Sequence, residues 1–264
     1  MVVESVRAGR LRVWDGRSLS RPHAQPDKAW RVRRMFEAIA GRYELVNRLA
    51  SFGLDAYWRR WAVKLADLKP GERALDVACG TGGLTRALLR AGRGLEVLVG
   101  LDFAGPMLQR AAVSSDGAIG WCQADALRLP FSDGSFTLVS CAFGVRNFQE
   151  LLAGLKEMHR VLRPGGRAVI AEFSLPSGRL IGWVYRLYFE RLMPAVAMML
   201  SGDRWGAYRY LVRSVISFVD RDEFCEILRR AGFGRVKVQV LTLGAVVVYV
   251  AWKGVDGRGQ AAVE

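Results

Sequence analysis

Apolar positions along this chain alternate between two rhythms. Continuous or period-two apolar runs predict strands over 73–77, 95–101, 118–124, 136–142, 167–173, 236–240 and 245–252. Apolar spacing of three to four predicts helices over 30–40, 54–65, 84–89, 150–162 and 224–231, and a helical pattern over 178–215. Lys69-Pro70-Gly71 turns the chain into the first strand, and Arg163-Pro164-Gly165-Gly166 stops the helix before the fifth. Strands alternating with helices imply a seven-stranded, mostly parallel sheet with helices on both faces. The fold class is therefore α/β and Rossmann-like, with an N-terminal helical cap. One domain over 28–254 accounts for the pattern: cap 28–69, core 70–175 and a helical insert 178–215. A basic leader, 1–27, and a tail, 255–264, flank it.

The chemistry concentrates where the first strand ends. Asp76-Val77-Ala78-Cys79-Gly80-Thr81-Gly82 follows an apolar strand and opens into a helix. Gly80 and Gly82 let the backbone turn tightly and approach a ligand where a side chain would clash. Asp102 closes the second strand, about 20 residues on, where a carboxylate accepts both hydroxyls of an adenosine ribose. A dinucleotide would need a third glycine, and Thr85 stands in its place. Asp76 suits a cationic amino group and would repel a pyrophosphate. The loop thus favours S-adenosylmethionine over a dinucleotide.

Composition adds bounds. The formal net charge is +14, nearly all of it from Arg. An anionic partner fits that balance, as does an Arg-rich genome or a heat-adapted source. The four cysteines form no Cys-x-x-Cys pair, so neither a zinc site nor a disulfide framework is implied, and a reducing, cytoplasmic compartment fits. His23 and His159 are the only histidines, which leaves little room for histidine catalysis or a His-based metal site; no metal is expected. No apolar run is long enough to cross a bilayer. Residues 1–25 hold five Arg and few acids, which suggests a disordered leader, with an organelle presequence as the alternative.

The sheet pattern, the Asp76–Gly82 loop and the 163–166 turn resemble class I S-adenosylmethionine-dependent methyltransferases. Four segments narrow the resemblance: Tyr43-Glu-Leu-Val-Asn47 with 51–58, Leu129-Pro-Phe through Phe143-Gly-Val-Arg-Asn-Phe148, Arg160 to Gly166, and Tyr208-Arg-Tyr-Leu211. Together they are similar to the ubiquinone/menaquinone biosynthesis C-methyltransferase family, from about Arg34 to Lys253. Glu44, Val46, Asp55 and Ala142 depart from its usual residues; Asp55 stands where a His is usual, and Ala142 where a Ser is common.

The resemblance implies methylation of a ring carbon on a prenylated quinol, either demethylmenaquinol or a ubiquinol precursor. Arg146 is expected to stabilise a phenolate or polarise a water, because its guanidinium stays charged. Asn147 would orient a ring oxygen, Tyr43 would hydrogen-bond the substrate from the cap, and Asp55 offers a carboxylate base. Thr81, Asp102, Asp125 and Ala126 carry over as cofactor contacts, beside Asp76, Gly80, Gly82 and Ala142; Asp125 also suits a helix cap. Residues 180–200 mix aromatic, Leu and Met residues with Arg186, Glu190 and Arg191. They suit an interfacial helix or prenyl lid, or equally an ordinary core helix. The partners expected are a prenylated quinol and an anionic membrane surface, with a homodimer left open. Another lipid or small molecule is the alternative substrate. RNA ranks below both, since no RNA-binding appendage or base-flipping segment is recognisable.

Overall fold

A computed structural model of the chain describes residues 13–113, 117–176, 178 and 206–255. One seven-stranded sheet organises it: β1 (Arg73–Val77), β2 (Val97–Asp102), β3 (Gly120–Gln123), β4 (Phe136–Ala142), β5 (Leu162–Phe173), β6 (Arg235–Leu241) and β7 (Val246–Trp252). The strand order is β3-β2-β1-β4-β5-β7-β6, with β7 antiparallel to both neighbours and the other pairs parallel. The chain leaves β1 toward β2 and β3 on one side, and β4 toward β5 on the other. The crevice at the carboxyl ends of β1 and β4 is thus the topological switch point, where open α/β sheets hold ligands.

Helices cover both faces, so β1, β4 and β7 are almost wholly buried, as their largely apolar sequences require. Helices α1 (Gly16–Ser20), α2 (Lys28–Ile39), α3 (Tyr43–Ala50) and α4 (Leu54–Ala66) precede the sheet. Helices α5 (Gly83–Ala91), α6 (Gly105–Val113), α7 (Leu151–Val161), α8 (Ala207–Ile216) and α9 (Arg221–Arg230) are interleaved with it. One core packs Leu155, Met158, Phe224 and Leu228 onto the sheet; another packs Trp58, Ala62, Leu84 and Leu88.

Several boundaries differ from the sequence pattern. Helices α3 and α6 form where none was expected, and β2 and β3 are shorter than their apolar runs. The 163–166 turn lies inside β5 because Lys253 brackets it. Gly165 N–H donates to the Lys253 carbonyl at 3.0 Å, and Lys253 N–H to that of Gly166 at 2.9 Å.

Residues 13–27, expected as part of a disordered leader, are instead packed. Asp15 caps α1 in a capping box with Ser18. Trp14 is buried and stacks on Tyr210 with ring centroids 4.2 Å apart. His23 Nε2 lies 2.9 Å from the Ser214 carbonyl. Val13, Trp14 and Leu19 bury enough apolar surface against α2 and α8 to order a segment that composition alone marks as polar. The reading of 180–200 as a lid or interfacial helix lies outside the described residues, as does nearly all of the insert before Gly206. No helix among the described residues is long and apolar enough to cross a membrane.

Candidate functional site

Two adjoining cavities open at the carboxyl ends of β1 and β4, one of about 260 Å³ and one of about 70 Å³. Tyr43, Ala78, Gly80, Ala142 and Phe143 line both, so they form one chambered site. The backbone here is held in the left-handed region. Of the six non-glycine residues with positive φ among those described, Phe52, Ala78, Phe143 and Thr242 all line the larger chamber. Strain of this kind persists only where surrounding structure over-determines it, and it clusters at functional sites.

The smaller chamber is walled by Asp102, Asp125, Ala126, Phe36 and Met107. Asp102 fastens the glycine loop to the sheet: its Oδ2 accepts from Gly80 N–H at 2.8 Å and its Oδ1 from Ala104 N–H at 2.9 Å. Burial pushes its carboxyl pKa upward, against the pull of those backbone donors. Asp125 accepts from Leu127 N–H at 2.9 Å, a local turn contact that leaves its other oxygen unengaged by it. The chamber's donors, acceptors and apolar walls fit an adenosine.

The two loop glycines separate in role. Gly80, at φ +57, lines both chambers, and a Cβ there would meet no protein atom within 4 Å. Its open side is the cradle a cofactor needs. Gly82, at φ +80, was expected to approach the ligand too. Instead it lines neither chamber, and a Cβ would lie 2.7 Å from the Trp121 ring. Its missing side chain makes room for Trp121.

The larger chamber gathers Asp55, Tyr43 and Arg146, expected on the substrate side, together with Thr81 and Asp76, expected as cofactor contacts. Thr81 is buried, and its carbonyl accepts from Arg86 at 2.7 Å. Asp76 is fully buried, accepting from Thr85 Oγ1 at 2.6 Å and Ser140 Oγ at 2.7 Å. Burial pushes its pKa up to about 6 despite both hydroxyls. Tyr43 packs edge-on against Phe36, and burial raises its phenol pKa. Asp55 is committed to an ion pair with Arg59 and a 3.3 Å hydrogen bond from Ser51 Oγ.

Arg146 is not at the surface. It is buried with Glu172, their closest atoms 2.6 Å apart, and also donates to the Phe143 carbonyl at 2.6 Å. Its Nε is buried with no hydrogen-bond partner among the described residues. Asn147, expected beside the substrate ring, lines the smaller chamber and not the larger. Its Oδ1 accepts from Tyr210 O–H at 3.0 Å, which ties the loop after β4 to α8.

Sequence reasoning missed the aromatic box in the larger chamber. Trp58, Phe143 and Phe173 meet pairwise at centroid distances of 5.8, 5.7 and 4.5 Å. Trp58 Nε1 donates to Thr242 Oγ1 at 2.8 Å, and the Arg146 guanidinium lies 5.3 Å from the Phe173 ring. A usable signal existed: Phe143 and Phe173 stand at the carboxyl ends of β4 and β5, which are parallel neighbours. Among the described residues no three His, Cys, Asp or Glu side chains gather as a metal site.

The strand order, the antiparallel β7, the glycine turn after β1 and the carboxylate after β2 define the fold of class I S-adenosylmethionine-dependent methyltransferases. Solved structures share it at low identity. A Thermotoga maritima S-adenosylmethionine-dependent methyltransferase superposes with TM-score 0.61 at 20% identity, covering 84% of this chain and 99% of its own. One from Aquifex aeolicus gives 0.56 at 18%, covering 79% and 97%. The chain belongs to the ubiE/COQ5 methyltransferase family, whose model matches residues 24–253. It is 46% identical to a demethylmenaquinone methyltransferase of Thermus thermophilus over 82% of this chain and 98% of the relative. It is 43% identical to another from Deinococcus radiodurans, over 86% and 94%. A ubiquinone/menaquinone biosynthesis C-methyltransferase of Geotalea daltonii is 40% identical over 86% and 98%. The chain is an S-adenosylmethionine-dependent methyltransferase, and the Gly80 cradle with Asp102 fits that cofactor.

Proposed function

We propose that this enzyme methylates a ring carbon of a prenylated quinol of the demethylmenaquinol type. The observation behind the reading is the apolar box of Trp58, Phe143 and Phe173 around the buried Arg146–Glu172 pair, next to the Gly80 cradle. The names of the Thermus and Deinococcus relatives support the same substrate.

When bound, the cofactor supplies an electrophilic methyl on sulfur. The protein does the rest. Asp102 and the loop amides hold the adenosine side, and Gly80, Ala142 and Phe143 form the wall shared by the two chambers. The aromatic box grips the ring faces and excludes water. A quinol hydroxyl that gives up its proton makes the neighbouring ring carbon nucleophilic. Arg146 stabilises the phenolate, and Glu172 holds the guanidinium in place. Asp55 is engaged by Arg59, so the proton leaves toward solvent at the chamber mouth rather than to that carboxylate. The ring carbon would take the methyl as the methyl–sulfur bond breaks, leaving the thioether as the departing group, and the ring proton would then pass to solvent water, which restores the aromatic ring.

The enzyme collects this substrate from the cytoplasmic side of an anionic bilayer. One chain's described residues line both chambers, so a homodimer is not needed to complete them. Transfer of labelled methyl to reduced demethylmenaquinol, a ubiquinol precursor and total RNA, offered in parallel, tests the reading. Label in demethylmenaquinol is expected. Label in RNA alone, or cofactor binding with no quinol methylated, would overturn it.

A further inference from the structure

Helix α3 has two faces of opposite character. Tyr43, Asn47 and Ser51 recur every fourth residue and line the larger chamber. Leu45, Leu49 and Phe52 recur at helical spacing on the other side, with 56%, 44% and 75% of their surface exposed. Phe52 and Leu54 also line the larger chamber, so this stripe runs into its mouth. On the far lip, Leu243 is 75% exposed, next to the Thr242 that anchors Trp58. Several large apolar side chains exposed around one cavity mouth mark an interaction surface.

The charge around the stripe selects the partner. Residues 28–69, which form the cap, contain ten Lys or Arg against four acids, with Lys28 buried on the Phe148 carbonyl. Arg48 and Arg60 are exposed on the same helices as Leu49 and Tyr57. Apolar residues set among cations suit the boundary between headgroups and acyl chains of an anionic bilayer.

We infer that the outer face of α3, its turn into α4 and Leu243 form a membrane-docking rim. The rim seats the mouth of the larger chamber on anionic lipid, so that a prenyl tail stays in the bilayer while its ring enters. This inference rests on the prenylated-quinol reading for its purpose, although lipid binding itself does not require that reading.

The test uses the full chain and Leu45→Glu/Leu49→Glu, two exposed positions that line neither chamber. Sedimentation with phosphatidylcholine vesicles, with and without phosphatidylglycerol, measures docking without any quinol. Methyl transfer is measured in parallel, with a water-soluble short-chain demethylmenaquinol analogue and with long-chain demethylmenaquinol in vesicles. The wild type binds the phosphatidylglycerol vesicles, and the variant binds at least about tenfold more weakly. Turnover of the soluble analogue stays within about twofold, whereas turnover from vesicles falls about as much as binding does. Equal vesicle binding by the two proteins overturns the inference. So does a wild-type dimer that becomes monomeric in the variant with vesicle binding unchanged, since a second copy would then occupy the face. If the wild type methylates neither quinol yet loses vesicle binding in the variant, the substrate reading fails and the docking rim stands.

Discussion

The two chambers are built in opposite ways. The smaller is anchored on backbone, with Asp102 pinning Gly80 and the turn leaving space where a side chain would otherwise be, and Phe36, Met107 and Asp125 complete its walls. The larger takes its shape from side chains brought from distant parts of the chain. Trp58 comes from the cap, Phe143 from the end of β4, Phe173 from the end of β5 and Thr242 from the bend before β7. A chamber anchored on a fixed backbone turn suits a ligand common to a whole fold class. A chamber made of side chains can be retuned for each substrate.

The largest effect expected from that difference falls on the Arg146–Glu172 pair. Removing one partner strands a buried charge, so Arg146→Ala or Glu172→Ala should each cost about 3–5 kcal/mol. The double variant should cost less than the sum of the singles. Chemical denaturation measures this, and a loss below 1 kcal/mol for both singles would show that the pair is better solvated than its burial implies.

The glycine pair separates folding from cofactor binding. Gly82→Ala should cost about 2–3 kcal/mol, because it adds strain at positive φ and drives a methyl into Trp121. Gly80→Ala should cost only about 1–2 kcal/mol in stability. It should nonetheless weaken S-adenosylhomocysteine binding by at least about tenfold, since its Cβ points into open chamber space. Equal stability losses with unchanged affinity would erase the distinction drawn between them.

An effect no larger than that of Gly82→Ala concerns pH and the N-terminal segment. Burial, helped by the Lys28 charge, depresses the His23 pKa from 6.5 to about 4. The unfolded chain therefore takes up a proton below pH 6.5 that the folded ring refuses until about pH 4. Stability from this residue is full above pH 6.5 and is lost as pH falls through that window. His159 shifts the same way, while Asp76, raised to about 6, works in the opposite sense. His23→Asn should therefore lose about 2 kcal/mol less than wild type between pH 7 and pH 5 in thermal melts. An identical loss in both would mean that the 13–27 segment opens before the sheet does.

How much of this was legible in the chain follows the same division. The seven strands and the cofactor loop rest on local signals: apolar runs, Gly80 and Gly82 after a strand, and Asp102 at the next strand's end. The aromatic box rests on no local signal, because its members are far apart in sequence and ordinary core residues one at a time. The register of β4 against β5 brings Phe143 near Phe173, and the bend at Thr242 positions Trp58. Arg146 was singled out as a candidate, but its burial with Glu172 was not foreseen, since the carboxylate lies 26 residues away on a strand whose 168–173 stretch otherwise reads as apolar core. Asn147 follows Arg146 directly, yet one step along a 3₁₀ turn was enough to aim it at the other chamber.

The most direct test of two chambers with two tasks is a paired measurement on Phe173→Leu, which trims the aromatic box without touching the smaller chamber. S-Adenosylhomocysteine affinity is measured by calorimetry, and methyl transfer to demethylmenaquinol is measured on the same preparations. The account predicts affinity within about twofold of wild type and methyl transfer reduced at least about tenfold. Parallel loss of both, or full transfer with a trimmed box, would contradict it.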